Sequence, residues 1–225
     1  VSAQPVVVLG GFLIGAEAYA PMCRWVEQQQ QQPVALVPAS RVDWLCTSWR
    51  FGWRRLLDRV AQHVEQLAEC SPTGKVTLIG HSSGGVMLRL FLAEAPFAGR
   101  CYNGKRWVNR LYTLGSPHTA LRATPLRAMV DRLYPGAFFA DAVDYISVAG
   151  VLADHQGSAL SRRMGPRSYQ AIAGRNDLCG DGLVPVASAK LKGSDALELQ
   201  GVAHGGSFGE RWYGTPDVVA QWWRG

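Results

Sequence analysis

The segment Val76-Thr77-Leu78-Ile79-Gly80-His81-Ser82-Ser83-Gly84-Gly85 carries the most structural information in this chain of 225 residues. Four residues suited to a buried strand run straight into a Gly-x-Ser-x-Gly turn. The run Val86-Met87-Leu88-Arg89-Leu90-Phe91-Leu92 follows without a break and reads as a helix. A tight strand-to-helix turn needs neighbours without side chains, so that the backbone bends sharply and the central hydroxyl stands clear. The helix N-terminus then aims free N–H groups and a positive dipole end at that hydroxyl, which favours developing negative charge. Ser82 is therefore the candidate nucleophile. The chain holds a second match to the pattern, Gly205-Gly206-Ser207-Phe208-Gly209. No apolar strand enters it and no amphipathic helix leaves it, so Ser207 reads as a turn residue.

Outward from this turn, strands and helices alternate. Residues 4–9 read as a buried strand ending at Gly10-Gly11. A helix is expected over 21–32, opened by Pro21 as a favoured first-turn residue and closed before Pro33. Residues 34–37 form a short strand. Trp53, Leu56, Leu57, Val60, Val64 and Leu67 then repeat at helical spacing. The strand into the turn spans 75–79 and the helix out of it 84–95. Later strands are expected at 108–114, 168–173 and 196–199, and Thr215-Pro216 opens a last helix. The pattern implies an α/β fold: a mostly parallel sheet of about six strands with helices on both faces. The length and the lack of linkers or repeats suit one domain over 1–225.

Residues 119–167 interrupt the alternation and are expected to form a helical insertion near the site. Thr124-Pro125 opens a helix carrying Leu126, Met129, Val130 and Leu133, and Phe138, Phe139, Val143 and Ile146 follow. In such sheets ligands bind beyond the carboxyl ends of the strands. The segment leaves from such an end, so it reads as an apolar cap that contacts substrate through Leu126, Met129, Val130 and Leu133, with extra packing as the plainer alternative.

A serine hydroxyl needs a base to take its proton at neutral pH. Of five histidines, His204 follows the last expected strand through a short loop, at the edge of the sheet where the turn lies. His118 ends another strand and could line the site, as a weaker candidate base; His155 is weaker still. His63 reads as an exposed helical residue, and His81 points away if Ser82 points in. The imidazole in turn needs a carboxylate. Asp177 and Asp181 share one loop. Asp181 is favoured because Gly182-Leu183-Val184-Pro185 would pin its backbone, whereas Asp177 beside Arg175 equally reads as a turn or ion pair. The oxyanion donors are expected to be the N–H of Ser83 and that of Phe12 in Gly10-Gly11-Phe12, with Leu13 as the fallback and substrate neighbour.

Four segments, Val8-Leu9-Gly10-Gly11-Phe12, the turn around Ser82, Thr113-Leu114-Gly115-Ser116-Pro117-His118, and Asp181-Gly182-Leu183-Val184-Pro185 with Val202-Ala203-His204, together resemble the α/β-hydrolase superfamily. The likeness is to its compact lipase and esterase branch, and more faintly to the lipase-like hydrolases of cyanobacteria and plastids. It implies a triad of Ser82, Asp181 and His204, in that superfamily's chain order, and no cofactor. Many lipases of the branch carry His-Gly where this chain has Gly10-Gly11; a hole built from backbone N–H groups survives that change.

The expected activity is hydrolysis of lipid-like acyl esters through an acyl-enzyme. A thioesterase or acyltransferase would use the same triad. A non-catalytic ligand-binding protein is disfavoured by the intact triad residues. The net charge of +6 reads as a basic surface, with attraction to anionic lipid or an acidic substrate as the sharper alternative. No nucleic-acid-binding motif accompanies it. The five dispersed cysteines form no Cys-x-x-Cys, which argues against a zinc site and for a reducing compartment. A cytoplasmic monomer is expected, with a trimmed leader ahead of Val1 left open.

Overall fold

The computed structural model describes residues 3–12 and 14–225. Four consecutive buried apolar residues form β1 (Val6–Leu9). The chain crosses through α1 (Ala16–Gln30) to β2 (Val34–Leu36) at one edge. Two helices, α2 (Arg41–Cys46) and α3 (Arg50–Cys70), lead back to β3 (Val76–His81), and Ser82 turns the chain into α4 (Ser83–Phe91). There follow β4 (Val108–Leu114), α5 (Pro125–Leu133), β5 (Asp144–Val151), α6 (Ala159–Ala173), α7 (Val186–Ala189), β6 (Asp195–Gln200) and α8 (Pro216–Trp222). Among the described residues the strands form one sheet in the order β2-β1-β3-β4-β5-β6, and every pairing is parallel.

Both faces of this sheet are covered, which is why its central strands are apolar throughout. Val7, Leu9 and Leu78 join one core with α3 and α4. Val6, Val8 and Ile79 point the other way and pack with Tyr19, Met22 and Val26 of α1 and Val218, Val219 and Trp222 of α8. The alternation carries His81, two residues beyond Ile79, to the α1 side of the sheet.

Three expectations are corrected. Residues 168–173 are not a strand but the end of α6. Ser158 caps that helix on the Ser161 N–H at 3.2 Å, Gly174 closes it in the left-handed region, and Ser161, Gly165, Tyr169 and Ile172 are buried at helical spacing. The strand beside β4 is instead β5, within the segment expected as a helical insertion. Residues 119–167 therefore supply a core strand of the sheet rather than a wholly helical insertion. Lastly, α1 starts at Ala16, so Pro21 lies inside it rather than at its first turn. That proline removes one helical hydrogen bond; the buried Tyr19, Met22 and Val26 hold the helix on the sheet.

The short α2 went unread in the sequence. Ser40 caps it in a reciprocal pair with Asp43, at 3.1 and 2.9 Å. Arg59 of α3 grips the same carboxylate at 2.8 and 3.2 Å. This clamp fixes the α2–α3 connection, which carries Thr47 and Ser48.

Candidate active site

Ser82 sits between β3 and α4 with φ 53° and ψ −124°. A residue with a side chain held there costs about 1–3 kcal/mol and persists only where its surroundings enforce it. Those surroundings are the loop after β1. A Cβ on Gly84 would collide with the carbonyl oxygens of Gly10 and Leu9, and one on Gly11 would lie 2.8 Å from the Ser82 Cβ. The two glycines thus let the β1 loop pack directly on the turn. Ser83 opens α4, so its N–H is one of the orphan donors of a helix N-terminus. Phe12 stands at the mouth of the site, 45% exposed. Leu13 lies outside the described residues.

The Ser82 hydroxyl lies 3.0 Å from His204 Nε2, and His204 Nδ1 lies 2.8 Å from Asp181 Oδ2. Ser82 is 7% exposed, His204 2% and Asp181 not at all. Asp181 does not follow a strand. It lies between α6 and α7, in a turn where its own carbonyl accepts the His204 N–H at 2.8 Å. Its Oδ1 accepts from the N–H groups of Leu183 and Val184 at 3.0 and 2.7 Å. Tyr213 donates its hydroxyl to Oδ2 at 2.8 Å and accepts the Gly150 N–H at 2.7 Å. Burial, then the Asp181 charge, pushes that hydroxyl well above the usual tyrosine range, so it remains a donor. A carboxylate satisfied on both oxygens can fix one tautomer of the imidazole, with a proton on Nδ1. That leaves Nε2 free to accept from Ser82.

Asp177 is elsewhere. It is exposed and pairs with Arg175 at 2.8 Å. Ser207 is exposed in a turn between irregular segments, as the sequence context implies. His81, expected to point away, makes the contacts that sequence reasoning missed. Tyr19 accepts the Gly11 N–H at 2.7 Å, and its hydroxyl lies 2.8 Å from His81 Nδ1. His81 Nε2 lies 2.8 Å from the His204 carbonyl oxygen. The polarity follows from that carbonyl: Nε2 must carry the proton, so Nδ1 accepts from Tyr19. Burial, then the neighbouring His204, holds His81 well below 6.5 and therefore neutral.

A cavity of about 350 Å³ opens on Ser82. Phe12, Trp53, Met87, Ile172, Leu183 and Val184 give it an apolar wall, while Thr47, Ser48, Thr124, Arg127 and Ser168 add polar groups. A larger polar hollow of about 450 Å³, around Leu152, Arg162 and Asp177, does not reach Ser82.

Of the expected substrate contacts, Leu126 and Val130 are buried in the core with Phe139 and Val143, and Met129 packs against that core. Leu133 is 48% exposed. None of the four lines the cavity; α5 turns Arg127 to it instead, with Thr124 at its cap. The mismatch is one of helical phase, because Leu126 and Val130 turn the apolar stripe of α5 toward the core it shares with α4. His118 is buried between Thr113 Oγ1 at 3.0 Å and Arg89 Nη1 at 3.3 Å, and it too is absent from the cavity wall. Among the described residues no group of three His, Cys, Asp or Glu could hold a metal ion. None of their helices is long and apolar enough to cross a membrane.

No protein-family model matches the chain. No curated protein matches it either. Solved structures do. Phospholipase PlaB from Legionella pneumophila, in complex with thio-NAD, superposes with a TM-score of 0.68 at 15% identity, over 97% of this chain and 56% of that one. This chain thus spans little more than half the length of that phospholipase. Est1E from Butyrivibrio proteoclasticus superposes with a TM-score of 0.50 at 13% identity, over 90% of this chain and 80% of that one. At such identities the likeness is one of fold: the six-stranded parallel sheet with helices on both faces is the α/β fold of hydrolase structures.

Proposed function

We propose that the protein is a serine hydrolase that cleaves carboxylic esters with a lipid-like acyl chain through an acyl-enzyme. The observation that carries this reading is the continuous chain from the Ser82 hydroxyl through His204 to Asp181, at 3.0 and 2.8 Å, opening on a largely apolar cavity. Ser82 Oγ attacks the ester carbonyl carbon while His204 Nε2 takes its proton. The Asp181 carboxylate stabilises the imidazolium. The Phe12 and Ser83 N–H groups receive the oxyanion; loss of one such donor typically costs about 10²–10³ in turnover. His204 then protonates the departing alkoxide as the carbon–oxygen bond breaks and acyl-Ser82 remains. Water, deprotonated by the same imidazole, attacks the acyl carbon and restores the serine. The apolar wall of Phe12, Trp53, Met87, Ile172, Leu183 and Val184 takes the acyl chain. A phospholipase with this fold fits a substrate of that kind.

The test is a series of p-nitrophenyl acetate, butyrate, octanoate and palmitate, with acyl thioesters run alongside. Each buried methylene contributes about 0.8 kcal/mol, so four more carbons should raise kcat/KM by roughly two orders of magnitude. A rise from acetate to octanoate that disappears in Ser82→Ala supports the proposal. Turnover that survives Ser82→Ala, or no turnover of any ester, overturns it.

A further inference from the structure

The cavity beside Ser82 has one charged side chain in its wall. Arg127 lines it, and among the described residues no Asp or Glu does. Among the described residues the Arg127 side chain has no hydrogen-bond or ion-pair partner, and its Nε is buried without an acceptor. The other inward-facing arginines each have at least one partner for the guanidinium, although Arg89 Nε is buried without an acceptor as well. Arg59 holds Asp43 at 2.8 Å and the Pro38 carbonyl at 2.7 Å. Arg89 donates to the Tyr134 carbonyl at 2.5 Å and lies 4.0 Å from Asp131. Arg127 has no aromatic ring beneath it either, unlike Arg50, Arg100 and Arg106. Burial alone lowers its basicity, with no neighbouring charge to offset the effect. A half-buried guanidinium is unfavourable without an acceptor, and its planar fork suits a carboxylate or phosphate.

We infer that Arg127 is the receptor for an anionic group on the substrate, so that the ester cleaved at Ser82 carries a carboxylate or phosphate besides its scissile bond. This rests on the ester-hydrolase reading above and names its substrate class. The apolar wall takes the chain, and the guanidinium takes the charged end. The Ser48 and Thr124 hydroxyls lie in the same wall and can add hydrogen bonds to the anion.

Two matched pairs of esters test this and distinguish the two sources of charge. Mono-p-nitrophenyl glutarate is compared with p-nitrophenyl hexanoate, and dioctanoyl phosphatidic acid with dioctanoylglycerol in neutral micelles. A charge-assisted hydrogen bond corresponds to roughly tenfold to a hundredfold. The wild type should therefore prefer the anionic member of at least one pair by such a factor in kcat/KM. That ratio should collapse in Arg127→Gln and be partly kept in Arg127→Lys. A preference for glutarate alone assigns a carboxylate, and for phosphatidic acid alone a phosphate. If Arg127→Gln does not fold, the wild-type ratios and Arg127→Lys decide. No anionic preference in either pair, or a ratio unchanged by the substitutions, overturns the inference. The outcomes separate from failure of the ester-hydrolase reading, because neutral esters would then still be cleaved in a manner dependent on Ser82.

Discussion

His81 Nε2 lies 2.8 Å from the carbonyl oxygen of His204, so the residue before the candidate nucleophile holds the backbone of the candidate base. The link continues through Tyr19 to the Gly11 N–H in the β1 loop. Three loops that the proposed reaction needs in register are thus tied by one buried chain of hydrogen bonds. Tyr19→Phe keeps the ring and removes the node, leaving the Gly11 N–H and His81 Nδ1 without partners. The expected cost is about 1–3 kcal/mol of stability for the unmet buried groups. The expected kinetic change is a fall in kcat larger than any rise in KM, because the geometry of attack is loosened rather than the cavity wall. Urea unfolding and steady-state kinetics on the same preparation check both. Unchanged stability with unchanged kcat would show that the chain of contacts holds nothing.

Mild acid should destabilise the fold through two histidines. His81 and His118 are buried, and burial, followed by His204 and Arg89 respectively, holds each well below 6.5. In the unfolded chain both take up protons as pH falls through about 6.5, while in the folded protein they stay neutral. The unfolded state then binds more protons, so stability is fully present above pH 6.5 and is lost as pH falls toward the folded values. The slope approaches about 1.4 kcal/mol per pH unit for each histidine. The Asp177 and Asp217 carboxylates, lowered from 3.8, act only in a more acidic window. Urea midpoints at pH 7.5, 6.0 and 5.0 test this, and a flat profile would contradict it.

The two carboxylates of the loop between α6 and α7 should behave oppositely. In Asp181→Asn the amide cannot match both the backbone donors on one side and His204 Nδ1–H with the Tyr213 hydroxyl on the other. Turnover should fall by about 10³–10⁴, as expected when an imidazole is held in the wrong tautomer. Asp177→Asn removes an exposed, solvent-screened ion pair with Arg175 and should leave kcat nearly unchanged. Comparable losses at both positions would refute the assignment of Asp181.

The parts legible in the sequence are those dictated by local physics. β3 is buried on both faces and ends in a turn that needs glycine, so it reads as a strand entering a nucleophile turn. β4 and α8 carry equally plain patterns. The misread parts depended on neighbours. Six residues at the end of α6 alternate like a strand, and only the Ser158 cap and the burial of Ser161, Gly165 and Tyr169 reveal the helix. β5 was hidden because Phe138, Phe139 and Ile146 blurred into one apolar stretch. Ser82, Asp181 and His204 could be named from motif and order. Tyr19, Tyr213 and Arg127 could not: Tyr19 and Tyr213 meet His81 and Asp181 across 62 and 32 residues, and Arg127 lies in a segment read for its apolar face. The phase of α5 was a clue for Arg127: Leu126, Met129 and Val130 mark the face turned to the core, which leaves Arg127 on another face.

The most direct test of the central claim is the site of covalent capture. A fluorophosphonate carrying an alkyl chain should add a single tag to the folded protein, mapped by mass spectrometry to the peptide that contains Ser82. Ser82→Ala should abolish the tag and His204→Ala should slow it by orders of magnitude. A tag on Ser207, or no tag on well-folded protein, would contradict the assignment of Ser82 as an activated nucleophile.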